Sequence, residues 1–312
     1  MKHGNTIKPQ TNYFYLKNNS VKSLSPDFND VQSIQLINSI SKKSAYFLRG
    51  TILISNIIVI IAIENNKFFL YFFDMKPNLK IIKKMEASLL SLSLPNLISS
   101  VNTSLIVTDD KNGRLLTFDS ELNLTNSIDA NVEYFNDMCV DSATNEIYLV
   151  RCVDKVNLKI LNYQNNSSRE IKKIWDNFRP RFIKVVKNKV FIVNACCIKL
   201  DNNNIIENIY GENYIYIFDK SNFHLINLID LNLHGYCQPW SLIVDENFIL
   251  LTTILKFKEK TLLSTERTLI KISNKELNEI FIGKLNFLPT DMFSSSNNLV
   301  FYKENLINFY SI

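Results

Sequence analysis

Asn96, Asp137 and Asp291 each stand at the opening of a short apolar run, and each offers a hard oxygen donor of the kind calcium prefers. Gathered around one centre, such oxygens could hold a cation that activates water for a hydrolase or lactonase reaction. Arg49 and Arg181 fall at similar levels of their runs and would oppose a cation there. The same polar side chains serve equally well as turn caps or contacts to water. Other catalytic patterns are missing: the sequence has no G-x-S-x-G, H-E-x-x-H, P-loop or C-x-x-C, and His3, His224 and His234 lack metal-ligand spacing. The primary reading is therefore a non-enzymatic chain without a cofactor. A metal-dependent hydrolase or lactonase with Asn96, Asp137 and Asp291 as ligands at the central channel, calcium being the metal they suit, is the alternative.

A second chemistry is the binding of phosphate and bases. Arg151, Arg179, Arg181, Lys256, Lys258 and Lys260 could meet a backbone, with Phe178, Tyr236 and Phe257 available for stacking. The net charge is only +5, from 35 basic and 30 acidic residues, whereas phosphate binding depends on accumulated positive charge. Single-stranded RNA is thus the second alternative. The five cysteines form an odd set and read as reduced thiols, which places the chain in the cytoplasm or nucleus. Its most apolar stretch, TILISNIIVIIAI from Thr51 to Ile63, is too short to span a bilayer, so no membrane association is expected.

The elements that must position these residues are strands. Apolar runs broken by turns recur at intervals of about 45 residues, the spacing of propeller blades. Four openings read PNLISSVNTSLIVTD from Pro95, DMCVDSATNEIYLV from Asp137, PRFIKVVKNKVFIVN from Pro180 and PWSLIVDENFILLTT from Pro239. PTDMFSSSNNLVFY from Pro289 and FLRGTILISNIIVIIA from Phe47 complete the series. A third strand follows each opening, such as RLLTFD from Arg114 or YIYIFD from Tyr214, and a fourth closes most units, as HLINLID does from His224. With only six glycines, asparagine is expected to take over the turns, because it tolerates left-handed backbone angles.

The last unit stops after its third strand, whereas VQSIQLINS (31–39) has the pattern of a fourth strand. Pairing the two would remove an open edge from each and tie the ring shut. The expected architecture is an all-β, six-bladed β-propeller over residues 31–312, closed by an N-terminal strand that completes the C-terminal blade. Residues 1–30 form a polar N-terminal tail.

These openings resemble NHL-type propeller repeats, in which a proline or polar residue precedes a strand, an aspartate, and a second strand like IYV. The likeness is best at Asp137–Val150, with Asp141, and at Pro239–Thr253, with Asp245. The family's turn glycines are mostly missing here. The resemblance implies the propeller fold and a scaffolding role, and carries over no catalytic residue.

Alternating strands send the fourth-to-first and second-to-third connections to one face. On that face, 194–213 and 254–267 read as long loops on adjacent units, with NLHGYCQP (232–239) between them and NFRPR (177–181) nearby. Long loops on a rigid scaffold are where binding concentrates. A protein partner is accordingly expected to contact Arg179, Arg181, His234, Tyr236, Trp240, Phe257 and Lys258. Trp240, following a blade-opening proline, could equally be core packing.

Overall fold

A run such as IIVIIAI cannot form a strand with one wet face; it must be covered by side chains above and below. The computed structural model supplies that cover by packing sheets face to face around a ring. The structure describes residues 35–41, 45–54, 57–75, 80–131, 135–151, 156–172, 178, 180–194, 197–201, 204–210, 214–231, 236–258, 261–264, 268–273, 280–284, 291–295, 298–303 and 306–311. The tail expected over 1–30 and the Trp175-Asp176 dipeptide lie outside them.

After β1 (Gln35–Ser41), the first blade holds β2 (Tyr46–Ile54), β3 (Ile57–Glu64), β4 (Lys67–Asp74) and β5 (Lys80–Glu86). The second holds β6 (Pro95–Val101), β7 (Ser104–Asp109), β8 (Arg114–Phe118) and β9 (Leu124–Asp129). The third holds β10 (Asp137–Asp141), β11 (Glu146–Val150), β12 (Val156–Asn162) and β13 (Ser168–Lys172). In the fourth, β14 (Pro180–Val186) and β15 (Lys189–Asn194) are followed by an inserted pair, β16 (Cys197–Asp201) and β17 (Asn204–Tyr210), before β18 (Tyr214–Asp219) and β19 (Leu225–Asp230) complete the blade. Next come β20 (Tyr236–Val244), β21 (Phe248–Lys258), β22 (Thr261–Ser264), β23 (Thr268–Ser273) and β24 (Ile280–Lys284). The chain ends with β25 (Asp291–Ser295), β26 (Asn298–Lys303) and β27 (Leu306–Ser311), which with β1 make the closing blade.

The expectation of a six-bladed propeller is corrected here: the propeller has five blades of four strands each. The remaining sheet of the ring has seven strands and joins β16 and β17 to β20–β24. The stretches read as long loops caused the difference. Their alternating apolar residues pair into strands and enlarge that sheet. All of this forms an all-β propeller.

Closure is by β1, which runs antiparallel to β27 from Gln35↔Ser311 to Ser41↔Leu306. The pairing covers the edge that β27 would otherwise present to other chains. Apolar clusters fill the spaces between successive sheets. Phe47, Tyr71 and Phe73 of the first blade pack with Val300 and Ile307 of the closing blade, their rings meeting edge-on or stacked at 5.9–6.0 Å. Second strands are buried almost throughout, as in β3, β7, β11 and β15, whereas the outermost β5 and β9 are largely exposed. Asparagine does take the left-handed turn positions: Asn65, Asn66, Asn102, Asn131, Asn145 and Asn166 all have positive φ. The successive pair Asn65-Asn66 supplies the two positive angles that a two-residue hairpin turn between β3 and β4 requires.

Candidate functional site

The first strands β2, β6, β10, β14, β20 and β25 line the centre of the ring. They enclose a cavity of about 210 Å³ whose wall includes Arg49, Ser99, Asp137, Met138, Lys184 and Leu242. A first strand has a sheet partner on one side only, so its other backbone groups must find partners across the boundary between blades. Asp137 Oδ2 accepts the Ile183 N–H at 2.9 Å and Lys184 Nζ at 3.1 Å. Two residues on, Cys139 Sγ accepts the Val185 N–H at 3.3 Å, and burial pushes this thiol above its ordinary pKa. Thus β10 satisfies the open edge of β14 with side chains.

Three positive side chains from three blades meet the segment that enters β10. Arg151 lies over the Phe135 ring at 5.2 Å, Arg49 Nη2 donates to the Asn136 carbonyl at 3.4 Å, and Lys184 pairs with Asp137. Asn96 joins them by donating to the Phe135 carbonyl at 3.3 Å and to Asp110 Oδ2 at 2.8 Å. The sequence flagged Asn96 and Asp137 as metal ligands, and the structure does bring them to one segment. Asn96 is engaged within its own blade by Asp110 and across the boundary by the Phe135 carbonyl, and the Lys184 ammonium already sits beside Asp137. Asp291 opens β25 opposite Tyr302. Among the described residues, no group of three or more His, Cys, Asp or Glu side chains is placed to hold a metal.

Beside this segment, β14 and β20 both carry a bulge. Pairing passes from Pro180↔Asn194 to Phe182↔Val193, and from Pro239↔Thr253 to Ser241↔Thr252, leaving Arg181 and Trp240 as the extra residues. A bulge re-aims the side chain it carries. The two meet: the Arg181 guanidinium lies 4.9 Å from the Trp240 ring and 5.4 Å from Phe182. Both are partly exposed, so Trp240 is not simply core. In β6 the pairing likewise shifts between Pro95 and Ile98, the interval holding Asn96.

Tyr236, Phe257 and Lys258 are strand positions and not loop positions, in β20 and at the far end of β21. Arg179 and His234 lie outside the described residues. Phe178, expected to stack on bases, is fully buried against Tyr216 and Phe218. Sequence reasoning missed Lys184 as a site residue, since nothing local announces an ion pair to another blade. It also missed Asp109, fully buried at the end of β7. Burial alone would raise the Asp109 pKa, but the Leu94 and Ser93 N–H groups, Asn112 and Arg114 outweigh it and hold the carboxyl below its usual range.

The second-to-third insertions meet on this face. β16 and β17 form a hairpin, β21 continues past its blade partners into a second hairpin with β22, and Asn204↔Thr261 joins the two. What was expected as two separate loops pairs into one β-extension, on the face where β14 and β20 begin.

Comparison with known proteins supports the fold alone. No family model matches the sequence and no curated protein matches it, so the NHL likeness rests on the quoted openings. Many solved structures share the architecture. One is the hydrazine synthase of Kuenenia stuttgartiensis, at 10% identity and a TM-score of 0.55 over 84% of this chain and 74% of that one. The class defined by the strands and the ring is the β-propeller. Among the described residues, no helix is long and apolar enough to cross a membrane.

Proposed function

We propose that this propeller is a non-enzymatic interaction module that holds a protein partner on the face carrying the β-extension, with Arg181 and Trp240 at the contact. One observation carries the reading: the insertions that follow β15 and β21 come together at the residue pair Asn204↔Thr261. Two insertions that meet in this way present one surface. A paired extension on a rigid ring is an ordered platform, and ordered platforms bind without the entropic cost of fixing a loop. Arg and Trp are the residue types that most often dominate contact energetics, and here one already stacks on the other.

The test replaces 197–211 and 257–265 with short turns and compares partner capture from native lysate with that of the intact chain. Capture should be lost while the far-ultraviolet spectrum and melting transition of the ring persist. Undiminished capture by the shortened protein would move the contact elsewhere.

A further inference from the structure

We infer that Asn112-Gly113 is a site of spontaneous modification: when the turn between β7 and β8 opens, the Gly113 nitrogen displaces ammonia from the Asn112 side chain, and the carboxylate left behind keeps the turn from closing again. The inference is independent of the interaction reading above. Of the many asparagines in this chain, Asn112 alone precedes a glycine. Glycine has no side chain to obstruct its own nitrogen, so that nitrogen can reach the amide carbon of the preceding asparagine. The new bond between the Gly113 nitrogen and Asn112 Cγ closes a five-membered imide; the nitrogen gives up its proton and ammonia departs. Water then opens the ring at either carbonyl. The products are aspartate and isoaspartate, the latter with an extra methylene in the main chain.

The folded turn holds the reacting atoms apart. Asn112 ends a short 3-10 turn, Asp110–Asn112, and Gly113 caps it at φ 61°. In such turns ψ lies at about −20 to −30°, whereas ring closure needs an extended backbone. The Gly113 N–H donates to the Asp110 carbonyl at 3.4 Å, and Asn112 Nδ2 donates to Asp109 Oδ2 at 2.7 Å and to Ser93 Oγ at 3.1 Å. Attack therefore requires the turn to open first. Asn112 is itself exposed, so water can reach the imide once it forms.

The product does not fit the closed turn. A carboxylate at position 112 replaces the donor that faces Asp109, which is fully buried with Arg114 as its cation. Two carboxylates at hydrogen-bond distance resist ionising together. Asp109 also accepts the Ser93 and Leu94 N–H groups, tying the 91–94 segment to β7, so the repulsion undoes more than one bond. In isoaspartate the added methylene also shifts Gly113, whose carbonyl accepts the Ala130 N–H at 3.1 Å. The reaction thus runs one way and marks a second blade that has been open.

The experiment ages the full chain in warm, mildly alkaline buffer with and without urea and follows deamidation by Lys-C peptide mapping, in which Asn112 falls in the peptide 112–155. In urea Asn112 should react before every other asparagine, and in the folded chain it should react about tenfold more slowly or less. The N112D variant, which carries the aspartate product, should melt below the intact chain. Adding D109N, which puts a donor back opposite the new carboxylate, should recover much of that loss. Should N112D fail to fold, the two rates on the natural chain decide. Equal rates with and without urea, an earlier reaction at another asparagine, or an N112D chain as stable as the intact one would each overturn the inference.

Discussion

Lys184 of β14 closes a 3.1 Å ion pair on Asp137 of β10, and the same carboxylate oxygen takes the N–H of Ile183 at 2.9 Å. One side chain therefore joins two blades through both a charge and a backbone bond. The two contributions are separable by mutation. Lys184 is 27% exposed and its pairing is screened by water, so Lys184→Met should cost about 1 kcal/mol or less. Asp137→Ala also strips the partner from an open strand edge and should cost about 1–3 kcal/mol. Urea unfolding of both variants checks this. Equal small losses would mean that the backbone bond contributes nothing.

Acid should weaken the second blade through Asp109. Asp109 is held below its usual pKa in the fold, so its contribution is fully present above the unfolded-state value of about 4. It is lost as pH falls through the lower folded value. Asp109→Ala should destabilise the protein at neutral pH by about 3 kcal/mol, because Arg114 and two backbone N–H groups lose a buried acceptor. The variant should also show a shallower loss of stability below pH ~4. Thermal melts across pH would expose an unchanged acid slope, which would contradict this role.

Ring closure has its own test. Removing residues 1–28 leaves β1 intact and should be mild. Removing 1–41 deletes β1, bares the β27 edge, and should cause aggregation or a large fall in melting temperature. Light scattering and melts distinguish the two, and equal tolerance would refute closure by β1.

Core packing across the ring junction should be equally demanding. Phe47 is fully buried against Tyr71 and Phe73, so Phe47→Ala should cost about 3–5 kcal/mol in urea unfolding. A loss below 1 kcal/mol would show that the junction does not rely on this ring.

Much of the ring was legible because its strands obey local rules. A strand covered on both faces must read as a continuous apolar run, and β3 and β15 do. Prolines at strand starts mark the openings, and the residue after Pro95, Pro180 or Pro239 falls within or at a bulge near the mouth, so Asn96, Arg181 and Trp240 could be named from spacing. Contacts between blades were not legible. Lys184 and Asp137 are far apart in sequence and meet only after the ring closes. The extension was misread for a different reason. CIKLD and NIIENIY carry strand patterns around an asparagine-rich turn, but they lie where a blade needs only a connection. Their length was therefore taken for a loop, and six four-stranded blades were expected where five form.

The most direct test of the interaction face is cross-linking of the captured complex through lysines, followed by mass spectrometry. Lys199, Lys256 and Lys258 lie on the extension, whereas Lys187, Lys189 and Lys220 lie at turns of the opposite face. Cross-links concentrated on the first three are the predicted result. Cross-links concentrated on Lys187, Lys189 and Lys220 would contradict the account.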